Sequence, residues 1–64
     1  MKFNIGDVIK HKHEPKIYLI REYDSESLDY IMKPLYPIPS TREYVVRLDA
    51  TQIDHYWERI IKGN

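Results

Sequence analysis

Pro34, Pro37 and Pro39 stand within six residues near the middle of a 64-residue chain, and they constrain its fold more than any other feature. Proline lacks an N–H and fixes φ, so this stretch is barred from a helix and spoils a ladder. It favours extended, polyproline-like backbone. The segment Pro34–Thr41 is therefore predicted to be a stiff loop or an irregular sheet edge. On either side, apolar and polar residues alternate with the period of a half-buried strand. Leu28, Tyr30 and Met32 share one face of a predicted strand over Leu28–Lys33, with Asp29, Ile31 and Lys33 on the other. Beyond the loop, Tyr44, Val46 and Leu48 alternate with Glu43, Val45 and Arg47, which predicts a strand over Arg42–Leu48.

Two further strands are predicted upstream. Val8–His13 ends at Glu14-Pro15, where proline marks an edge or turn. Lys16–Tyr23 carries Ile17, Tyr18, Leu19 and Ile20 in an unbroken run. Apolar residues of both parities require cover on both faces, as in a central strand or one at an interface. Asp24-Ser25-Glu26-Ser27 reads as a polar turn. At the other end, Asp49 and Gln52 have the spacing of a capping box. Ile53, Tyr56, Trp57, Ile60 and Ile61 recur at helical spacing, and Gly63 suits a helix stop. That pattern predicts a helix over Ala50–Ile61.

A chain of this length permits one domain, residues 1–64. It buries only about 60% of the surface of its unfolded form, so aromatic area matters; the chain has six tyrosines and one tryptophan. The expected core is Ile5, Ile9, Tyr18, Ile20, Tyr30, Met32, Tyr44, Val46, Leu48, Ile53 and Trp57. There is no cysteine, which favours a reducing compartment. No charged-then-apolar leader and no run of about 18 apolar residues is seen. A cytoplasmic location without membrane contact is the expectation. Ten basic and ten acidic side chains cancel, which argues against a long footprint on a phosphate backbone.

The opening stretch Phe3-Asn4-Ile5-Gly6-Asp7-Val8-Ile9 combines a short strand, a turn dipeptide and a second β-branched strand. Together with Tyr18-Leu19-Ile20, Tyr30-Ile31-Met32 and Ile53-Asp54-His55-Tyr56-Trp57, it resembles the small SH3-like proteins common in phage genomes. The resemblance implies a β-rich fold: an SH3-like barrel of four to five antiparallel strands with a C-terminal helical segment. It also implies a short helical turn followed by a closing strand near Trp57–Ile61, against the single helix that the spacing favours. Both readings of this segment stand at this point. A viral accessory factor that docks on or inhibits a host enzyme or defence protein is the role such a likeness suggests.

Three groups of residues are candidates for function. His11-Lys12-His13-Glu14 places two imidazoles on one strand face, with His55 as a further donor. A lone His-x-His without a second pair is a poor zinc signature, so no metal site is predicted. Lys10, His11, Lys12, His13 and Lys16 surround one turn beside Tyr18. Basic groups next to an aromatic suit single-stranded nucleic acid or a nucleotide. KOW- and Tudor-like barrels, which the chain resembles in outline, use such rims. The simpler account is that these lysines protect an exposed edge. The third group is Leu35, Tyr36 and Ile38, which stiff neighbours hold ready for a protein contact. Ile17 and Leu19 extend that surface, and self-association is a further expectation, because Ile17, Leu19, Ile31 and Val45 need cover beyond what one thin barrel supplies.

Enzyme chemistry finds little support. There is no cysteine nucleophile, no serine with an evident histidine partner and no glycine-rich phosphate loop, since the chain has two glycines in all. No cofactor is expected. The reading is a non-catalytic protein-binding module, with nucleic-acid or nucleotide binding as the alternative.

Overall fold

The computed structural model describes residues 2–63. Five strands and one helix follow in the order β1 (Val8–His11), β2 (Ile17–Asp24), β3 (Asp29–Tyr36), β4 (Val46–Asp49), α1 (Ala50–Tyr56) and β5 (Trp57–Ile61). All strand pairs are antiparallel, in one sheet of order β4-β3-β2-β1-β5. β2 and β3 are the longest strands, at eight residues each. Their β-branched and aromatic content suits a pleated, half-buried surface.

The helix decides the shape of the sheet. It follows directly on the last residue of β4 and leads directly into the first of β5, which are opposite edges. A flat five-stranded sheet would hold those edges roughly 19 Å apart, whereas a seven-residue helix spans only about 10 Å. The sheet must therefore curl, and its concave face wraps Phe3, Ile9, Tyr18, Ile20, Tyr30, Met32, Ile53 and Trp57. β4 and β5 do not pair and remain its two edges.

Several expectations change on contact with the structure. Ile5 is 56% exposed while Phe3 is buried, because the turn between Asn4 and Asp7 rotates Ile5 away from the core. Tyr44 is likewise exposed. Residues 42–45 lie outside the sheet, and the ladder with β3 holds only from Val46, so the fourth strand is Val46–Asp49 and not Arg42–Leu48. Leu28 does not begin β3; it sits in the preceding turn with φ of 60° and an exposed side chain. At the proline stretch the strand runs further than expected, to Tyr36, with Pro34 buried opposite Tyr18.

The C-terminal segment is a helix followed by a strand. Asp49 caps α1 by accepting a hydrogen bond from Thr51 N at 2.8 Å. The helix ends where Trp57 turns extended. Here tertiary pairing overrides helical spacing: Trp57 is buried, its ring 4.6 Å from that of Tyr18, and β5 pairs with β1 through His11↔Trp57 and Lys10↔Glu58. Gly63 is thus no helix stop. Its N–H donates to Asp7 Oδ1 at 2.7 Å.

Two buried polar side chains fasten the chain ends to the sheet. Asp7 has no exposed surface; its Oδ2 accepts from Asn4 N at 2.9 Å and lies 3.6 Å from Arg59 Nε. Burial alone would raise its pKa. The amide hydrogen bonds from Asn4 and Gly63, with Arg59 and Lys62 nearby, outweigh that and hold the carboxyl below its ordinary value. The Tyr30 hydroxyl accepts from Phe3 N at 3.2 Å and donates to Asp54 Oδ1 at 3.0 Å, which ties the N-terminal segment, β3 and α1 together. Burial first, then the Asp54 carboxylate, pushes the Tyr30 pKa up.

Candidate protein-contact surface

Strand alternation gives β2 two working faces. Tyr18 and Ile20 point into the core, so Ile17 and Leu19 lie on the outer face, where both are half-buried. Register then assembles their neighbours. Ile17 faces Tyr36 across the β2–β3 ladder and Lys10 across β1–β2, while Leu19 faces Val8, and Val8 faces Ile61. The outer face therefore carries an apolar patch of Ile61, Val8, Leu19, Ile17 and Tyr36, spread over four strands. Lys10 and Glu58, paired with each other across β1–β5, border it.

The register between β2 and β3 shifts after Ile17, which adds Leu35 as an extra residue. Such a bulge bends a strand and re-aims side chains. Beyond it, Ile38 is 84% exposed on the proline-bracketed loop. Leu35 and Ile38 line a shallow groove of about 290 Å³ with Pro34, Pro39 and the side chains of Lys33 and Arg42. Of the predicted contact residues, Ile17 and Tyr36 face each other in the ladder, Leu19 lies between Val8 and Lys33, and Leu35 and Ile38 share the adjoining groove.

The basic rim is less coherent. Tyr18 is only 8% exposed and packs on Trp57, so it belongs to the core and offers no free ring for a base to stack on. Lys16 Nζ pairs with Glu14 at 3.1 Å; that hydrogen bond raises the lysine pKa and lowers the glutamate's. Lys12 Nζ donates to the His55 carbonyl at 3.1 Å, near the end of α1. His11 Nδ1 accepts from the His13 and Glu14 amides, both at 3.0 Å, so the ring shapes the β1–β2 turn. Lys10 and His13 stay exposed. Among the described residues no group of three or more His, Asp or Glu side chains gathers where it could hold a metal ion; His11 Nε2 lies 3.6 Å from Glu14 Oε2.

Three features were not anticipated. The ring of Tyr56, half exposed at the end of α1, lies parallel to that of His11 with centroids 6.3 Å apart. Tyr56 is the last residue of α1 and stays outside the core cluster that holds Ile53 and Trp57. Arg47 Nη1 reaches Asp24 Oδ2, Asp29 Oδ2 and Ser27 Oγ at 3.1, 3.2 and 3.1 Å, fastening the β2–β3 turn to β4. Its hydrogen bond is the main reason the Asp24 pKa is lowered. Finally, a cleft of about 450 Å³ opens on the outer face between β2–β3 and residues 42–45, lined by Arg21, Glu22, Ile31, Arg42, Glu43 and Val45.

No protein family, characterised protein or solved structure matches this chain. No helix among the described residues is long and apolar enough to cross a membrane.

Proposed function

We propose that this chain is a non-catalytic protein-binding module built on an SH3-like barrel, with the outer face at Ile17, Leu19 and Tyr36 and the adjoining Leu35–Ile38 loop as its contact surface. The strand order, the all-antiparallel pairing and the short helix that joins the two edge strands β4 and β5 support the barrel reading. The observation that carries the contact reading is the Ile17↔Tyr36 pairing. It brings a strand residue and a loop-edge tyrosine, distant in sequence, onto one exposed apolar surface. Tyrosine is favoured at contact centres because its ring adds area at small entropic cost. The likeness to small phage proteins extends this to a viral accessory factor whose partner is a host enzyme or defence protein.

Affinity capture from lysate, with and without nuclease and at two salt concentrations, tests the reading. An apolar protein contact changes little with salt, whereas binding to a phosphate backbone weakens steeply. The expected result is a protein partner that survives both treatments and is lost with Ile17→Lys. Recovery of nuclease-sensitive material alone would favour the rim of Lys10, Lys12 and Lys16 instead.

A further inference from the structure

The cleft between β2–β3 and residues 42–45 differs from the apolar patch in its charge pattern. Its floor is apolar, formed by Ile31 and Val45, the latter about half exposed. Around that floor stand two arginines, Arg21 and Arg42, and two glutamates, Glu22 and Glu43. None of the four takes part in an ion pair among the described residues. The β2–β3 register shifts between Ile20 and Glu22, and this irregularity lets the neighbours Arg21 and Glu22 both reach the cleft despite strand alternation.

A partner carrying one sign of charge would meet as many repulsive groups as attractive ones here. A two-fold contact is different: the same patch meets itself, so an arginine on one side can face a glutamate on the other. Equal numbers of unpaired opposite charges around an apolar centre are what such a self-complementary surface needs. A chain with no net charge adds no long-range repulsion. We infer that this cleft is the interface of a homodimer, in which a second copy covers Ile31 and Val45 while Arg21 and Arg42 pair with Glu22 and Glu43 of the other subunit. The inference extends the protein-contact reading by naming a partner for a separate part of the same face.

Light scattering after size exclusion, from micromolar to millimolar concentration, tests this on the wild type and three variants. The wild-type mass should climb from 7.8 kDa toward twice that value. An all-acidic cleft (Arg21→Glu with Arg42→Glu) and an all-basic one (Glu22→Arg with Glu43→Arg) should each remain monomeric. Their equimolar mixture should regain the doubled mass, which also shows that both variants are folded. Val45→Asp should stay monomeric with an unchanged melting temperature. A wild type that remains at 7.8 kDa throughout would overturn the inference, as would single-sign variants that dimerise as well as the wild type or fail to associate when mixed while folded. A dimer that captures no foreign protein would leave this inference standing and remove the module reading above.

Discussion

Gly6 and Gly63, the only two glycines of the chain, lie backbone against backbone. A methyl group built on Gly63 would stand 2.2 Å from the carbonyl carbon of Gly6 and 2.5 Å from its oxygen. Gly6 itself has φ of 95°, a conformation that favours glycine. The contact lets Gly63 N reach the Asp7 carboxylate, and so fastens the segment after β5 onto the turn before β1. Gly63→Ala should push the two segments apart, break that hydrogen bond and cost about 1–3 kcal/mol, the usual range for overpacking. Urea unfolding at neutral pH measures it. A variant as stable as wild type would show that the contact is slack.

The buried Asp7 makes the same junction sensitive to acid. Its folded-state pKa lies below the ordinary carboxylate value, so the ionised form favours the folded state at pH above about 4. That contribution is lost as pH falls through the folded-state pKa. Asp7→Asn should therefore be less stable at pH 7, by about 1–3 kcal/mol for loss of charge-assisted hydrogen bonds. Its stability should also fall less steeply than the wild type's on acidification below pH 4. Unfolding curves at several pH values give both quantities, and parallel acid slopes would contradict this role.

Much of this junction was hidden in the sequence for a physical reason. Gly-Asp was legible as a turn because that is a local preference, whereas Gly63, read as a helix stop, follows a strand instead. That the two ends meet is a tertiary fact, and no spacing in the chain expresses it. The central strands were legible because Ile17–Ile20 is an unbroken apolar run and Tyr30 and Met32 alternate with Asp29, Ile31 and Lys33; Tyr18, Ile20, Tyr30 and Met32 are all buried. The last segment misled because Ile53, Tyr56, Trp57, Ile60 and Ile61 suit a helix, while the edge of β1 needs a partner and takes Trp57–Ile61. On the candidate surface, Ile17 and Leu19 stood out by having the wrong parity for the core. Their meeting with Tyr36 depended on a bulge, which one sequence does not reveal.

Leu28 provides a test of backbone strain. Its φ of 60° lies in the left-handed region, where a side chain costs about 1–2 kcal/mol, and its own side chain is exposed. The conformation is held because the Leu28 carbonyl accepts from Ala50 N at 2.8 Å, at the start of α1. Leu28→Gly relieves the strain but adds freedom to the unfolded chain, worth about 0.4–1 kcal/mol. The net expectation is a small gain, up to about 1 kcal/mol, read as a higher melting temperature. A clear loss would show that the exposed leucine packs usefully.

Trp57 should be the most costly side chain to remove. It is buried at the first position of β5, against Tyr18 and edge-on to His11 at 5.1 Å. Trp57→Ala should cost about 3–5 kcal/mol, against a total stability of only about 5 kcal/mol for so small a domain. Circular dichroism should then show a largely unfolded chain at 37 °C. A near-native melting curve would mean that the sheet holds together without Trp57 packed on Tyr18.

Tyr36 tests the central claim, that this outer face is a protein-contact surface. Half exposed opposite Ile17, it leaves no core cavity when shortened, so Tyr36→Ala should change the melting temperature far less than Trp57→Ala. Titration of the captured partner against wild type and Tyr36→Ala, by calorimetry at fixed salt, is the direct measurement. The account predicts a loss of about 2 kcal/mol or more, roughly thirtyfold in Kd, with the fold intact. Unchanged affinity in a folded variant would contradict it.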